Sequence, residues 1–255
     1  MNNENNDNDI TENLLPKDNN IETTPLLSNE NQEITVKQSK VIKITVAASL
    51  IVFLFLSNNY FTYENVFSLP LIQPNECYTD LLFTLSNSIH TFFMNNIESR
   101  NALLIFSSFL ADSTIILGMF IWTFRFKDEG LLISLTLFYV VRFIIMELIL
   151  FNYPKEYIFE YPGMRSIFVS YLKTNDFFFS GHTGFPIIIF LDFIRKKYYL
   201  IAYLSLFTLI MQFFTMLVLH GHYSIDLLVG TLVGIYVYFK CNKFLKWYYK
   251  RLEKA

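Results

Sequence analysis

The chain has 255 residues, of which 53% are hydrophobic, 18% aromatic and only 16% charged, with a mean hydropathy of +0.36; soluble domains carry about 25% charge, so this is the composition of a membrane protein. The net charge of −2 conceals two materials, because the first 34 residues hold eight acids against Lys17, a balance of −7, and the remainder sums to +5. A basic nucleic-acid-binding surface, a secreted disulfide scaffold built on two Cys, and a collagen-like or repeat architecture with eight Gly are excluded.

Residues 1–38 show no apolar period, and ten of the first 34 are Asn. Such a segment cannot bury enough surface to offset its ordering entropy, so it is expected to be a disordered acidic tail. It has no basic start followed by an apolar run, which argues against a signal peptide and for a cytosolic N-terminus. Within it, Glu22-Thr23-Thr24-Pro25-Leu26-Leu27 fits the acidic dileucine form that clathrin adaptors read. Glu22, Leu26 and Leu27 are thus a candidate sorting motif for endosomal or lysosomal membranes, with Golgi or endoplasmic reticulum residence as the alternative.

Six spans follow, each close to the 20 or so apolar residues that cross about 30 Å of hydrocarbon. They are residues 41–61, 102–124, 131–151, 177–193, 198–219 and 223–239. The fourth and sixth are short and begin with polar residues. Threading from a cytosolic N-terminus puts Arg125, Lys127, Arg195, Lys196, Lys197, Lys240, Lys243, Lys246, Lys250, Arg251 and Lys254 on the cytosolic side, eleven cations against the four of Arg100, Lys155, Arg165 and Lys173. That bias supports six crossings with both ends cytosolic. Residues 78–95 alternate apolar pairs with polar residues at helical spacing and read as a helix lying in the opposite interface. The expected fold is all-α, a six-transmembrane-helix bundle over residues 39–240 with an interfacial amphipathic helix, a disordered cytosolic N-terminal tail at 1–38 and a basic cytosolic tail at 241–255. Cys77 and Cys241 fall on opposite sides of the bilayer in this scheme, which leaves no intrachain disulfide. Cys241 is either a palmitoylation site or a plain thiol.

The fourth span opens Asn175-Asp176-Phe177-Phe178-Phe179-Ser180-Gly181-His182-Thr183. A Ser-Gly-His step at a helix start offers free backbone N–H groups, the positive end of the helix dipole and an imidazole, a combination suited to phosphate. The bland alternative is an interfacial His held by a backbone bond. The sixth span opens His220-Gly221-His222-Tyr223-Ser224-Ile225-Asp226. His222 and Asp226 are four apart and share a helix face, so the carboxylate can hold one ring nitrogen while the other points outward as nucleophile or base; a surface ion pair is the alternative. Both motifs emerge at the non-cytosolic ends of their helices, although the topology rests on Lys and Arg alone. A metal at His220 and His222, completed by His182 and Asp226, competes for the same residues and is set aside, so no cofactor is expected. His90 reads as a solvated bystander on the interfacial helix.

SGHT followed about 40 residues later by HYSID resembles the lipid phosphate phosphatase and phosphotransferase superfamily. Within it, NDFFFSGHTG, HGHYSIDLLVG and, more loosely, DLLFTLSNSIHTFF and RNALLIFSSFLAD are similar to the sphingomyelin synthase-like branch and to the plant phosphatidylcholine:diacylglycerol cholinephosphotransferases. The resemblance implies a six-helix membrane fold with a metal-independent triad facing the lumen, carried here by His182, His222 and Asp226. It implies phospholipid and lipid-alcohol substrates, ceramide or diacylglycerol as acceptor, and transfer of phosphocholine or a similar headgroup through a phosphohistidine. The superfamily's phosphatases carry a Ser-Arg pair whose Arg lies six residues before the nucleophilic His; Thr215 and Met216 stand there in this chain, and no Arg-Pro occurs. A phosphomonoester dianion needs several cations and a choline phosphodiester fewer, so the missing arginines tilt the reading toward transfer. Hydrolysis by the same triad, and an inactive membrane scaffold, are the competing readings.

Arg142 lies near the middle of the third span, where a charge signals a partner or a site. It either pairs with Asp112 at about the same depth in the second span or binds phosphate. Glu147 is shallower and suited to a choline ammonium. Together with Ser180, Gly181 and Asp176 beside His182, these are the candidate substrate-binding residues. Tyr153, Tyr157, Phe159 and Tyr161 before SGHT form either an interfacial belt or an aromatic cage.

Overall fold

The computed structural model describes residues 80–126, 128–149, 151, 153–171 and 177–252, together with Ile44. Glu22, Leu26, Leu27, Cys77, Asp176 and, apart from Ile44, the first expected span lie outside the described residues, as does the side chain of Glu147. The described chain is all helical: α1 (Leu81–Asn95), α2 (Ile97–Arg125), α3 (Gly130–Leu148), α4 (Gly181–Arg195), α5 (Tyr199–Val218) and α6 (Ser224–Leu252).

Helix α1 starts where Asp80 accepts a hydrogen bond from the Leu82 N–H at 3.0 Å, satisfying one of the orphan donors of the first turn. Its apolar residues Leu81, Leu85, Ile89 and Phe92 are exposed at i, i+4, i+8 and i+11, while Ser86 and His90 are buried. The helix therefore buries Ser86 and His90, half-buries Leu82, Phe83 and Phe93, and leaves an apolar stripe exposed, as a helix resting in a lipid interface does.

Helices α2, α5 and α6 are long and apolar enough to cross a membrane, and α3 contains a shorter apolar stretch, Gly130–Met146. Helix α4 has 15 residues, about 22 Å at 1.5 Å per residue, and falls short of a full crossing. Its position explains its composition: it packs against α2, α3, α5 and α6, and a helix covered on most sides needs no polar face. The sixth expected span, 223–239, runs on to Leu252. Lys240, Lys243, Lys246, Lys250 and Arg251 lengthen the helix rather than forming a separate tail, because Lys and Arg are good helix formers and no Gly or Pro interrupts residues 235–252. Cys241, on that extension, is a free thiol only 4% exposed, which leaves it poorly placed for acylation.

Two features bring α4 and α6 together. Gly230 lies so close to α4 that a Cβ there would collide with the Ser180 carbonyl oxygen, so only glycine permits the approach. At the far end, the buried Asp192 holds Arg195 at 2.8 Å and Lys196 at 2.6 Å, and Arg195 reaches Asn242 of α6 at 2.7 Å. The basic residues thus gather at the C-terminal ends of α4 and α6, and the histidine motifs lie at the opposite, N-terminal ends.

Candidate active site

Ser180 caps α4, its hydroxyl accepting from the His182 N–H at 3.2 Å. The same residue donates its own N–H to the Asp226 carbonyl at 3.0 Å, and Thr183 donates its hydroxyl to the Leu227 carbonyl at 2.9 Å. These two bonds are buried and tie the first turn of α4 to the first turn of α6. The side chains they carry consequently meet: the rings of His182 and His222 lie 5.6 Å apart between centroids at 63°.

Asp226 stands behind His222, with Oδ2 3.6 Å from Nδ1. That is contact rather than a formed hydrogen bond, and a small ring rotation closes it. The same Oδ2 accepts from the Tyr223 N–H at 3.1 Å, a third-position acid reaching back to the start of its helix. Asp226 is 1% exposed and His222 4%. Burial, and then the positive charge of Arg142, pushes His222 down to about 3, so the ring is neutral at physiological pH and keeps a lone pair.

Arg142 approaches from α3. A Cβ built on Gly181 would lie 3.0 Å from its Nε and 3.2 Å from its Cζ, so the guanidinium rests on the Ser-Gly-His step. Its charge acts on both His182 and His222. Asp112 is engaged elsewhere: its carboxylate accepts from Ser166 Oγ at 2.8 Å, Ile167 N–H at 2.9 Å and Phe168 N–H at 3.0 Å. Of the two roles open to Asp112, the structure assigns it the fastening of this loop, and Arg142 is held at the histidines.

Aromatic rings wall the site. Phe159 meets His182 edge-on at 6.0 Å, and Phe177 meets His222 edge-on at 5.7 Å. Tyr153 packs on Phe177 at 5.3 Å and on Tyr157 at 5.4 Å, whereas Tyr161 is 54% exposed. The loop aromatics therefore divide between an enclosure around the histidines and an outer surface.

Three residues not singled out for the site help to build it. Asp80 accepts from the Ser224 N–H at 2.7 Å and the Ser224 hydroxyl at 2.8 Å while capping α1. One carboxylate thus joins two helix starts beside the histidines, yet nothing in the local sequence sets it apart from any other N-cap. Asp80→Ala is expected to destabilise the protein by about 1–3 kcal/mol through loss of a cap and two charge-assisted bonds, read as a lowered thermal midpoint in detergent. Gln212, an amide within an apolar helix, donates to the Ser107 carbonyl at 2.8 Å and lies beside His182; a polar side chain within a span was the signal for it. His90 corrects the expectation of a solvated bystander. It is fully buried, with Nδ1 2.9 Å from the Val218 carbonyl and its ring stacked on His220 at 3.7 Å, because it lies on the face of α1 that packs inward. His220 accordingly turns away from the triad and forms no shared ligand set with His182 and Asp226.

The arrangement offers a neutral imidazole backed by a carboxylate, a second imidazole facing it, and a guanidinium over a helix N-terminus. Such a set can bind one tetrahedral anion, attack it and move a proton. No curated protein and no solved structure matches the chain. Residues 174–243, which carry SGHT, His222 and Asp226, match the family model described as PAP2 superfamily C-terminal, and that match supports a place in the lipid phosphate phosphatase superfamily.

Proposed function

We propose that this chain is a membrane phosphotransferase that moves phosphocholine, or a similar phosphodiester headgroup, from a phospholipid to ceramide or diacylglycerol. The observation that carries this reading is the meeting of His182 and His222 beside the guanidinium of Arg142, whose charge acts on both rings. Among the described residues Arg142 is the cation that acts on the two rings, and one positive charge balances the single negative charge of a phosphodiester better than the dianion of a phosphomonoester.

In the first step His222, with the Asp226 carboxylate facing its Nδ1, uses Nε2 to form a bond to phosphorus. The phosphorus–oxygen bond to the diacylglycerol breaks, and that oxygen takes a proton from His182. The negative charge of the incoming phosphodiester favours the imidazolium that His182 must present. In the second step neutral His182 removes the proton of the acceptor hydroxyl, whose oxygen attacks phosphorus as the phosphorus–nitrogen bond breaks, restoring both rings. Asp226 orients the nucleophile and stabilises its charged adduct. Phe159 and Phe177 keep water away from that adduct, which favours transfer over hydrolysis. The tyrosines beyond Phe177 and the carboxylate of Glu147 suit the choline ammonium. Ser180 and Gly181 complete the phosphate-binding set at the α4 start, and Asp176 stays a candidate substrate contact from the sequence.

The basic helix ends lie opposite the histidines, and the positive-inside rule supports a site on the lumenal or exterior face; that reading leaves Glu22, Leu26 and Leu27 for clathrin adaptors in the cytosol. Purified protein given headgroup-labelled phosphatidylcholine with ceramide or with diacylglycerol decides the chemistry. Label in a new lipid is the expected result. Release of soluble phosphocholine alone would make the protein a hydrolase, and no turnover with any acceptor would leave a scaffold.

A further inference from the structure

A second cluster of titratable side chains lies outside the triad. His90 comes from α1, Glu156 from the segment after α3, and His220 from the turn between α5 and α6; one ligand atom from each lies within 4.8 Å of the others. Hydrogen bonding sets the tautomers. His90 Nδ1 is 2.9 Å from the Val218 carbonyl and His220 Nδ1 is 2.7 Å from the Lys155 carbonyl. A carbonyl only accepts, so each Nδ1 donates, and each neutral ring presents a bare lone pair at Nε2.

Both Nε2 atoms are buried without a hydrogen-bond partner. His90 is 0% and His220 5% exposed. The Glu156 carboxylate lies 3.5 Å from His90 Nε2. Two lone pairs and an anion therefore lie close together with no donor among the neutral rings and the carboxylate, a set that a bound cation would satisfy. Phe83 stacks on the other face of His220 at 4.0 Å, and Glu156 and His220 both adopt left-handed backbone, at φ 54° and 51°.

We propose that His90, Glu156 and His220 form a zinc site that clasps α1 and the segment after α3 to the turn carrying His222. Two neutral imidazoles and a carboxylate are a ligand set zinc accepts, with water completing the tetrahedron. Each imidazole already has its Nδ1–H bonded to a backbone carbonyl, the outer-shell partner that orients a ligating histidine. The Glu156 side chain is 59% exposed, which gives the ion a path in. A metal lies in the plane of each ring it ligates, so binding turns the rings out of their stack and draws the donors from their present spread toward the roughly 3.3 Å edge of a zinc tetrahedron.

The test uses the full chain in lipid nanodiscs, stripped with chelator, reloaded with zinc chloride, desalted and assayed by elemental mass spectrometry. The expected result is one zinc per chain in the parent and in His222→Ala, near zero in His90→Asn/His220→Asn, and a thermal midpoint that chelator lowers in the first two but not in the double variant. Glu156→Gln, changed at an exposed side chain, keeps the fold and is expected to weaken zinc binding by about tenfold or more, since loss of an outer-shell partner alone costs 10 to 100-fold. A parent that retains no zinc overturns the proposal. So does a double variant that binds as much as the parent, or a His222→Ala protein that loses the metal, because either would place the ion elsewhere.

Discussion

Replacing His222 by alanine is expected to lower headgroup transfer by at least about 10⁴-fold, since removal of a covalent nucleophile leaves only binding and electrostatic stabilisation. The same variant should fail to trap label when phosphate-labelled phospholipid is mixed with enzyme and quenched in alkali, where a phosphohistidine survives. His182→Ala separates the two rings. It retains the nucleophile and loses the proton donor, so turnover falls by about 10² to 10⁴-fold while a slow labelled adduct still forms. Full activity in His222→Ala, or label that persists on the chain without this ring, would remove the phosphohistidine from the scheme.

Arg142→Met is the second large effect. The guanidinium rests on Gly181 and acts on both imidazoles, so its loss should reduce turnover by about 10² to 10³-fold, the effect of removing one charge-assisted donor from an anion site. Arg142→Lys keeps the charge without the planar fork and should recover only part of the rate. A structural role predicts something else, activity falling in step with the folded fraction. The thermal midpoint of Arg142→Met in detergent distinguishes the two, because the Asp112 carboxylate has its own hydrogen-bond donors at Ser166, Ile167 and Phe168.

The helices were largely legible because hydropathy is a local property. The spans expected at 102–124, 131–151 and 198–219 match α2, α3 and α5 to within a few residues. The fourth is short, as its sequence indicates, and its lack of a polar face has a tertiary cause that hydropathy does not register: α4 is enclosed by its neighbours. The C-terminal overrun of α6 was missed because charge was read as a boundary, although Lys and Arg prolong a helix as readily as they end a span. Around the histidines, the spacing of His222 and Asp226 and the cap at Ser180 are short-range and could be read directly. The contacts of Asp112 and Asp80 span 54 and 144 residues, and no periodicity encodes such partners.

The amino-acid sequence by itself determined the membrane character, the helical segments and the two motifs that hold His182, His222 and Asp226, since each follows from residue type and spacing along a few turns. Only the tertiary structure decided that Arg142 lies at the Ser-Gly-His step instead of facing Asp112, and that His90 leaves solvent to stack on His220. Those outcomes depend on which helix faces which, and that choice is made by close packing at positions such as Gly230, where the space available is set by a carbonyl fifty residues away along the chain.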